Sequence, residues 1–278
     1  RPYIRLRHAT VRGRGQSRNA LGEEGETVHV KTTGIVLRET NYKESDKILT
    51  LFTAEGGIRT VKARGCRGKS SRTAASCQLL VYSDLTLVEY RDFFTLGEAD
   101  SIEQFWGVKS DLDKLALGSY FAEVLETVGE EGVPDEGLLS LLLNSLYALG
   151  TLGKPLKLVK AGFEMRAMCL AGYEPMLDGC GVCGAESVEE PRLNLSEGML
   201  HCALCKKGGG ISMPVSPQTL QALRYIAYGD PKRLFSFTLD DQNLQQLCDV
   251  SEAFLMTQLE RGFRTLDFYK QIQTEGTL

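Results

Sequence analysis

Two cysteine pairs limit what this chain folds into more than any other feature. Cys180 and Cys183 stand in GCGVCG, and Cys202 and Cys205 stand in HCALC, giving C-x2-C-x18-C-x2-C. Two thiolates on one tight turn share a face of a tetrahedral ion, and a second such turn closes the shell. The spacing therefore predicts one structural zinc ion with all four positions filled by protein. Gly179, Gly181 and Gly184 let the backbone turn around it. The first stretch also spells GxGxxG, the dinucleotide fingerprint, which carries pyrophosphate only where it leaves a strand and opens a helix. Upstream, GYEPMLD contains Pro175 and no β-branched residue, which argues against a strand. Downstream, AESVEEPRLN contains Pro191 and three acids, which argue against a long helix, so the cysteine reading is preferred. Cys66, Cys77, Cys169 and Cys248 are scattered and form no secretory disulfide framework.

At 278 residues the chain has room for two or three small units with buried cores. Its most apolar run, LLSLLLNSLYALG at 138–150, is too short for a membrane span and contains Asn144, so it reads as a buried helix. No apolar leader stands near the start, and a reducing cytoplasmic compartment is expected. Residues 1–30 carry six arginines in the first eighteen without periodicity, and read as a basic, disordered extension.

The fold class read from the pattern is α+β. TTGIVLR, KILTLFT, IRTVKAR, LLVYSDLTLVEYR and FFTLGEA are β-rich runs separated by turn residues. Five strands in so short a stretch suggest a small barrel over 31–104, either an OB-fold or an SH3-like barrel. From 105 the period becomes helical, as in Leu117, Phe121, Val124 and Val128, then Leu156, Val159, Phe163, Ala167 and Leu170. Pro155 and Gly172 suit the start and end of one helix, Ser216-Pro217 opens another, and a last long helix is expected from Asp241 to Tyr269. A helical domain over 105–177 and 211–278 with a zinc module inserted at 178–210 follows.

The net charge of −4 conceals a polarity. Residues 31–76 carry ten Lys/Arg against four Asp/Glu, whereas 77–150 carry three against fourteen. Between Gly57 and Ser76 stand Arg59, Lys62, Arg64, Arg67, Lys69 and Arg72 with no acid. Cations at that spacing neutralise successive phosphates, and counterion release drives association. Lys62, Arg64, Arg67, Lys69 and Arg72 are therefore the candidate DNA contacts, although a solvated loop has the same composition. Tyr42, Phe52, Tyr82, Tyr90, Phe93 and Phe94 lie nearby as base platforms or barrel core.

Catalytic signatures are weak by comparison. Ala63-Arg64-Gly65-Cys66-Arg67-Gly68-Lys69-Ser70 resembles a P-loop whose first glycine is alanine, and SSRTAAS is too short and polar to open a helix. A zinc deaminase needs H-x-E and P-C-x-x-C, and His8, His29 and His201 supply neither partner residue. His201 adjoins Cys202 and reads as an outer-shell or solvated histidine. The module's Lys206 and Lys207 suggest DNA contact, but Glu186, Glu189, Glu190 and Glu197 favour a structural clip.

Taken in order, GIVLRETNYKESDKILTLFTAEGG, KARGCRGKSSR, FEMRAMCLAGYEPMLDGCGVCG and EGMLHCALC resemble the RecO family of bacterial recombination mediators. The resemblance covers about residues 31–271, and only its cysteine quartet is sharp as a motif. It implies an OB-fold, a central helical domain, a zinc module and a nucleoid-associated cytoplasmic protein that is not an enzyme. It also implies binding of single- and double-stranded DNA, annealing of complementary strands, and help in loading recombinase. Implied partners are RecR, the single-stranded-DNA-binding protein and, indirectly, RecA. Some family members lack the cysteines. For the acidic tail of the single-strand-binding protein, Lys154, Lys157, Lys160 and Arg166, beside Leu156, Val159 and Phe163, are the candidate contacts. A zinc-containing nucleic-acid-modifying enzyme and a protein-only scaffold are the rival readings.

Overall fold

The computed structural model describes residues 12–18, 24–91, 93–205 and 210–275, with side chains from 28 onward. Six strands come first: β1 (Arg12–Arg18), β2 (Glu24–Tyr42), β3 (Asp46–Thr53), β4 (Gly57–Ala63), β5 (Tyr82–Tyr90) and β6 (Phe93–Glu103). At 19 residues, β2 is long enough to pair β5 through its first part and β3 through its second. A bulge between Val36 and Arg38 bends it from one to the other. β6 pairs β5 antiparallel and meets β4 in parallel at Val61–Phe94 and Lys62–Thr95. The ring therefore closes as β2-β3-β4-β6-β5, with the last strand inserted between the third and fourth. That insertion makes a five-stranded Greek-key barrel of the OB type. Alternate residues point inward, so Leu49 and Leu51, Val61 and Ala63, Leu85 and Leu87, Phe94 and Leu96 fill one core.

The expectation of an extension without structure over 1–30 does not hold for all of it. Arg12–Arg18 pairs in register with Glu24–Val30. Val28 to Val30 already pair β5 on one edge, which leaves the other edge of β2 open to a further strand.

Three helices follow, α1 (Trp106–Lys109), α2 (Leu112–Val128) and α3 (Glu136–Gly150). The Asp111 side chain caps α2 at the Lys114 N–H, and α2 buries Phe121, Val124 and Leu125. The chain leaving α2 covers part of the outer β3–β4 surface. Ile58 N–H donates to the Glu130 carbonyl at 3.0 Å, and Gly132 N–H donates to the Ile58 carbonyl. This segment caps the stretch of β4 that β6 does not reach. Gly57 has a φ of 55°, and a side chain there would collide with the carbonyls of Val133 and Glu130.

Two compact units result: one runs to Leu142 and resumes at Asp267, and the other spans Leu143–Leu266. The division falls inside α3, not at the expected 104/105 junction, because α1 and α2 belong with the barrel. In the second unit α4 (Leu156–Leu170), α5 (Pro217–Tyr228) and α6 (Asp241–Gln258) pack on one another. Pro155 stands at the N-cap of α4, and Ser216 caps α5 with Pro217 in its first turn. The same unit holds a small sheet of β7 (Met176–Cys180), β8 (Arg192–Asn194), β9 (Met199–His201) and β10 (Ser212–Pro214), in the order β10-β8-β9-β7. The single last helix expected from 241 to 269 is broken in two. α6 stops at Gln258, Glu260 takes a φ of 51°, Gly262 follows, and α7 (Arg264–Glu275) starts afresh. No helix among the described residues is long and apolar enough to cross a membrane.

Candidate nucleic-acid interface and metal centre

The basic residues gather where β4 runs into the connection to β5. Residues 64–80 form a succession of turns, and Arg64, Arg67, Lys69 and Arg72 are all exposed along it. The connection is not loose. Cys66 and Cys77 both sink into the barrel core and anchor its two legs. Gly65 N–H donates to Asp46 Oδ1 at 2.9 Å, and Arg67 N–H donates to the Ser45 carbonyl at 2.9 Å. The Arg67 guanidinium also reaches the Lys43 carbonyl at 3.3 Å. The basic connection and the β2–β3 turn therefore form one body.

Lys62 points outward from β4, its ammonium 3.4 Å from Asp46 Oδ2 and 5.0 Å from the centre of the Tyr42 ring. The Gly65 N–H, with Lys62, holds the Asp46 carboxyl below its ordinary value of 3.8. Arg59 takes the opposite side, as strand alternation requires, and lies 4.6 Å over the Phe94 ring. The six aromatics divide sharply. Phe52, Tyr82 and Phe94 are core, Tyr90 is half-buried, and Tyr42 and Phe93 are 42% and 77% exposed. Lys43 belongs to this cluster and was not among the residues singled out from the sequence; it has a φ of 54° in the β2–β3 turn, with its ammonium 5.5 Å from the Tyr42 ring. The P-loop resemblance dissolves, since Ala63 ends β4 in the core and turns, not a helix, follow Lys69.

The four cysteines converge as their spacing predicts. The Sγ atoms of Cys180, Cys183, Cys202 and Cys205 all lie within 4.8 Å of one another, and Cys183 and Cys202 are 3.9 Å apart. Sulfurs around a tetrahedral ion with metal–sulfur bonds of about 2.3 Å stand roughly 3.8 Å apart, so the quartet fits such an ion. Burial disfavours the Cys180 thiolate, but the N–H groups of Cys183, Cys202 and Val182 outweigh it and bring its pKa down to about 6. Cys205 shares hydrogen bonds with the Cys202 and Cys183 sulfurs and is pushed up to about 12. A cation is what would let all four ionise together.

One local expectation is overturned. GYEPMLD yields a strand after all, because β7 pairs β9 at Met176–Met199 and Cys180–Leu200 across an irregular step. Non-local pairing supplies what the residues' own propensities do not. The dinucleotide reading still fails, since the chain beyond Gly184 turns without forming a helix. Gly184, at a φ of 74°, donates its N–H to the Cys180 carbonyl and closes the first knuckle. His201 is buried, 3.0 Å from Glu197 Oε2, outside the sulfur quartet. Lys206 and Lys207 lie outside the described residues.

Lys154, Lys157, Lys160 and Arg166 do not form an open basic surface. Lys160 is buried between Glu164, at 2.7 Å, and Glu252, at 2.8 Å. Arg166 donates to the Ala227 carbonyl at 2.7 Å, near the end of α5. Lys157 is exposed and donates to Gln245 Oε1, Lys154 is half-buried, and Val159 and Phe163 are core. For Lys160 and Arg166, the expectation of partner contact gives way to internal pairing.

Comparison with known proteins agrees with this architecture. The family model described as Recombination protein O N terminal matches residues 28–105, and that described as Recombination protein O C terminal matches 109–267. A protein named DNA repair protein RecO from Acetivibrio thermocellus is 32% identical over 245 residues, covering 88% of this chain and 97% of the relative. Proteins of the same name from Alkaliphilus metalliredigens and Caldicellulosiruptor bescii are 29% and 28% identical over 244 residues, covering 87% and 88% of this chain and 99% of each relative.

Proposed function

The chain belongs to the RecO family of recombinational DNA repair proteins, and from that premise we propose that it binds DNA backbone through the barrel and anneals complementary strands without nucleotide. The observation that carries the reading is the basic cluster: Lys62, Arg64, Arg67, Lys69 and Arg72 on a connection pinned at both legs, with no acid in its sequence. Two complementary strands repel through their phosphates. A surface that screens both while leaving base edges free lowers that barrier, and duplex formation itself runs downhill. Neither a hydrolytic nucleotide site nor an open metal position is needed, so the protein acts as a mediator that assists recombinase loading and not as an enzyme. Its partners in that reading are RecR, the single-stranded-DNA-binding protein and, through them, RecA.

In the metal centre the four thiolates would hold one structural zinc ion, which supplies cross-linking and no chemistry. Zinc is the metal favoured by an all-sulfur tetrahedron with no open position.

The test is annealing of complementary oligonucleotides, bare and coated with single-stranded-DNA-binding protein, without ATP. Annealing is expected in both cases, and deleting the coating protein's acidic tail should abolish the second. Alanine at the five basic positions should weaken binding to all sequences alike and flatten the log–log salt slope by about 0.7–0.9 per lost phosphate contact. No annealing of bare strands would remove the mediator reading.

A further inference from the structure

The outer surface of β3 and β4 is occupied at one end and open at the other. Its outward positions are Ile48, Thr50 and Phe52 on β3, and Ile58, Thr60 and Lys62 on β4, by alternation against the core-facing leucines and valine. Phe52 is buried, because the segment after α2 lies over that end, and Thr50 is buried beside the Arg38 side chain. Glu126 reaches across to Arg38 at 2.7 Å there, and exposed Glu130 and Glu131 sit where the segment bridges to Gly57 and Ile58. At the other end Ile48 and Lys62 are half-buried, Thr60 is exposed, and Tyr42 projects with Lys43 and Lys62 beside its ring. An acidic strap thus closes one end, and a tyrosine with two ammonium groups marks the other.

We propose that Tyr42 is the stacking platform for an unpaired base of single-stranded DNA, in a short subsite whose phosphates engage Lys43, Lys62 and Arg64. The inference rests on the DNA-binding reading of the barrel. Three observations carry it. Tyr42 is a large exposed aromatic inside the basic cluster and not at a distance from it. Its backbone is held by the turn in which Lys43 adopts left-handed geometry and to which Arg67 is bonded, so the ring is presented and not free to collapse. Finally, the ammonium groups of Lys43 and Lys62 rest against the ring at 5.5 and 5.0 Å, and an incoming nucleotide offers each part of this arrangement a better partner. The base takes the ring face, and the flanking phosphates take the lysines. In a duplex the base faces are stacked on one another and unavailable, so the subsite distinguishes single strands from duplex without reading sequence. Glu126 is matched by Arg38, but the exposed carboxylates of Glu130 and Glu131 repel phosphate at the opposite end, which confines the strand to the Tyr42 end.

The test is fluorescence anisotropy of a short poly-dT oligonucleotide and of a duplex, across a salt series, with Tyr42→Ala and Tyr42→Trp. Tyr42→Ala should weaken poly-dT binding about five- to tenfold, toward the lower end of base–aromatic stacking. Duplex affinity and the salt slope should not change, since no charge is lost. Tyr42→Trp should restore single-strand binding. Equal losses on single strand and duplex would mean that Tyr42 only positions its lysines, and no loss on either would remove the platform outright. The alanine set at Lys62, Arg64, Arg67, Lys69 and Arg72 separates the two readings. If that set weakens binding and Tyr42→Ala does not, the platform alone falls; if neither does, the DNA-binding face falls with it.

Discussion

Replacing Lys160 with methionine removes a charge while keeping the length and most of the apolar contact of the side chain. Lys160 lies between Glu164, whose side chain is 0% exposed, and Glu252, which keeps 19% exposure. Burial works against the lysine's charge, but the two carboxylates outweigh it, and its pKa is raised above the ordinary 10.5. Without the ammonium, Glu252 can still hydrate. Glu164 cannot, and the Ser251 hydroxyl that donates to it at 3.0 Å brings no compensating charge. It must fold either as a stranded carboxylate, at a cost of about 3–5 kcal/mol, or as the neutral acid. Protonating a glutamate of ordinary pKa about 4.3 at pH 7 costs roughly 3.7 kcal/mol, so both routes give a similar deficit. With a urea m-value near 2 kcal/mol/M, the midpoint of helix loss followed by circular dichroism should fall by about 2 M. The pH dependence identifies the cause. In the variant the folded pKa of Glu164 is raised, so its stability contribution is present below the unfolded pKa and lost as pH rises through the folded one. The deficit should therefore shrink by about 1.4 kcal/mol per pH unit from pH 7 toward pH 5. Adding Glu164→Gln should recover most of it at pH 7. A Lys160→Met protein of unchanged stability that had lost a protein partner would refute the argument and restore Lys160 to a surface role.

Two further outcomes follow from the site. Freshly purified reduced protein should contain one zinc per chain, and Cys183→Ser should release it, since structural zinc is worth on the order of 10–16 kcal/mol of binding that doubles as folding energy. Hydrogen exchange should then show opening confined to the β7–β10 sheet, and intact protection there would remove the structural role. Asp46→Asn keeps an acceptor for the Gly65 N–H but removes the one acid that pairs with Lys62 in the basic cluster, so DNA affinity should rise and the salt slope steepen. Because Asp46 is depressed in the folded state, its contribution is present above its ordinary pKa of 3.8 and lost as pH falls through the lower folded value. Protection of the Gly65 amide should fade on acidification in the parent and not in the variant.

The local features were legible and the long-range ones were not. Period-two runs marked every barrel strand, and two CxxC pairs marked the metal centre, because each run and each pair lies within a few neighbouring residues. Phe52 shows the limit. Its position on β3 points it outward, and only a segment some eighty residues away buries it. Lys160 reads from the sequence as an open partner contact, yet it pairs with Glu164 four residues on and with Glu252 from α6. Arg166 likewise finds its acceptor on α5. The break at Glu260 carries only Gly262 as a local cue, and tertiary packing decides where the helices part.

The charge polarity along the chain acquires a physical meaning once both signs are seen on one barrel. Composition alone marks residues 77–150 as strongly acidic, with three Lys/Arg against fourteen Asp/Glu. Glu126, Glu130 and Glu131 come from that region to the edge of the surface whose other end is basic. Gly57 permits the approach, since any side chain there would meet the carbonyls of the strap. A backbone laid along the face is drawn to one end and repelled at the other, within about a Debye length, roughly 8–10 Å at moderate salt. Screening at higher salt weakens attraction and repulsion together. Affinity should therefore fall with salt less steeply than the count of basic residues alone requires, and neutralising Glu130 and Glu131 to glutamine should bring the slope back toward that count.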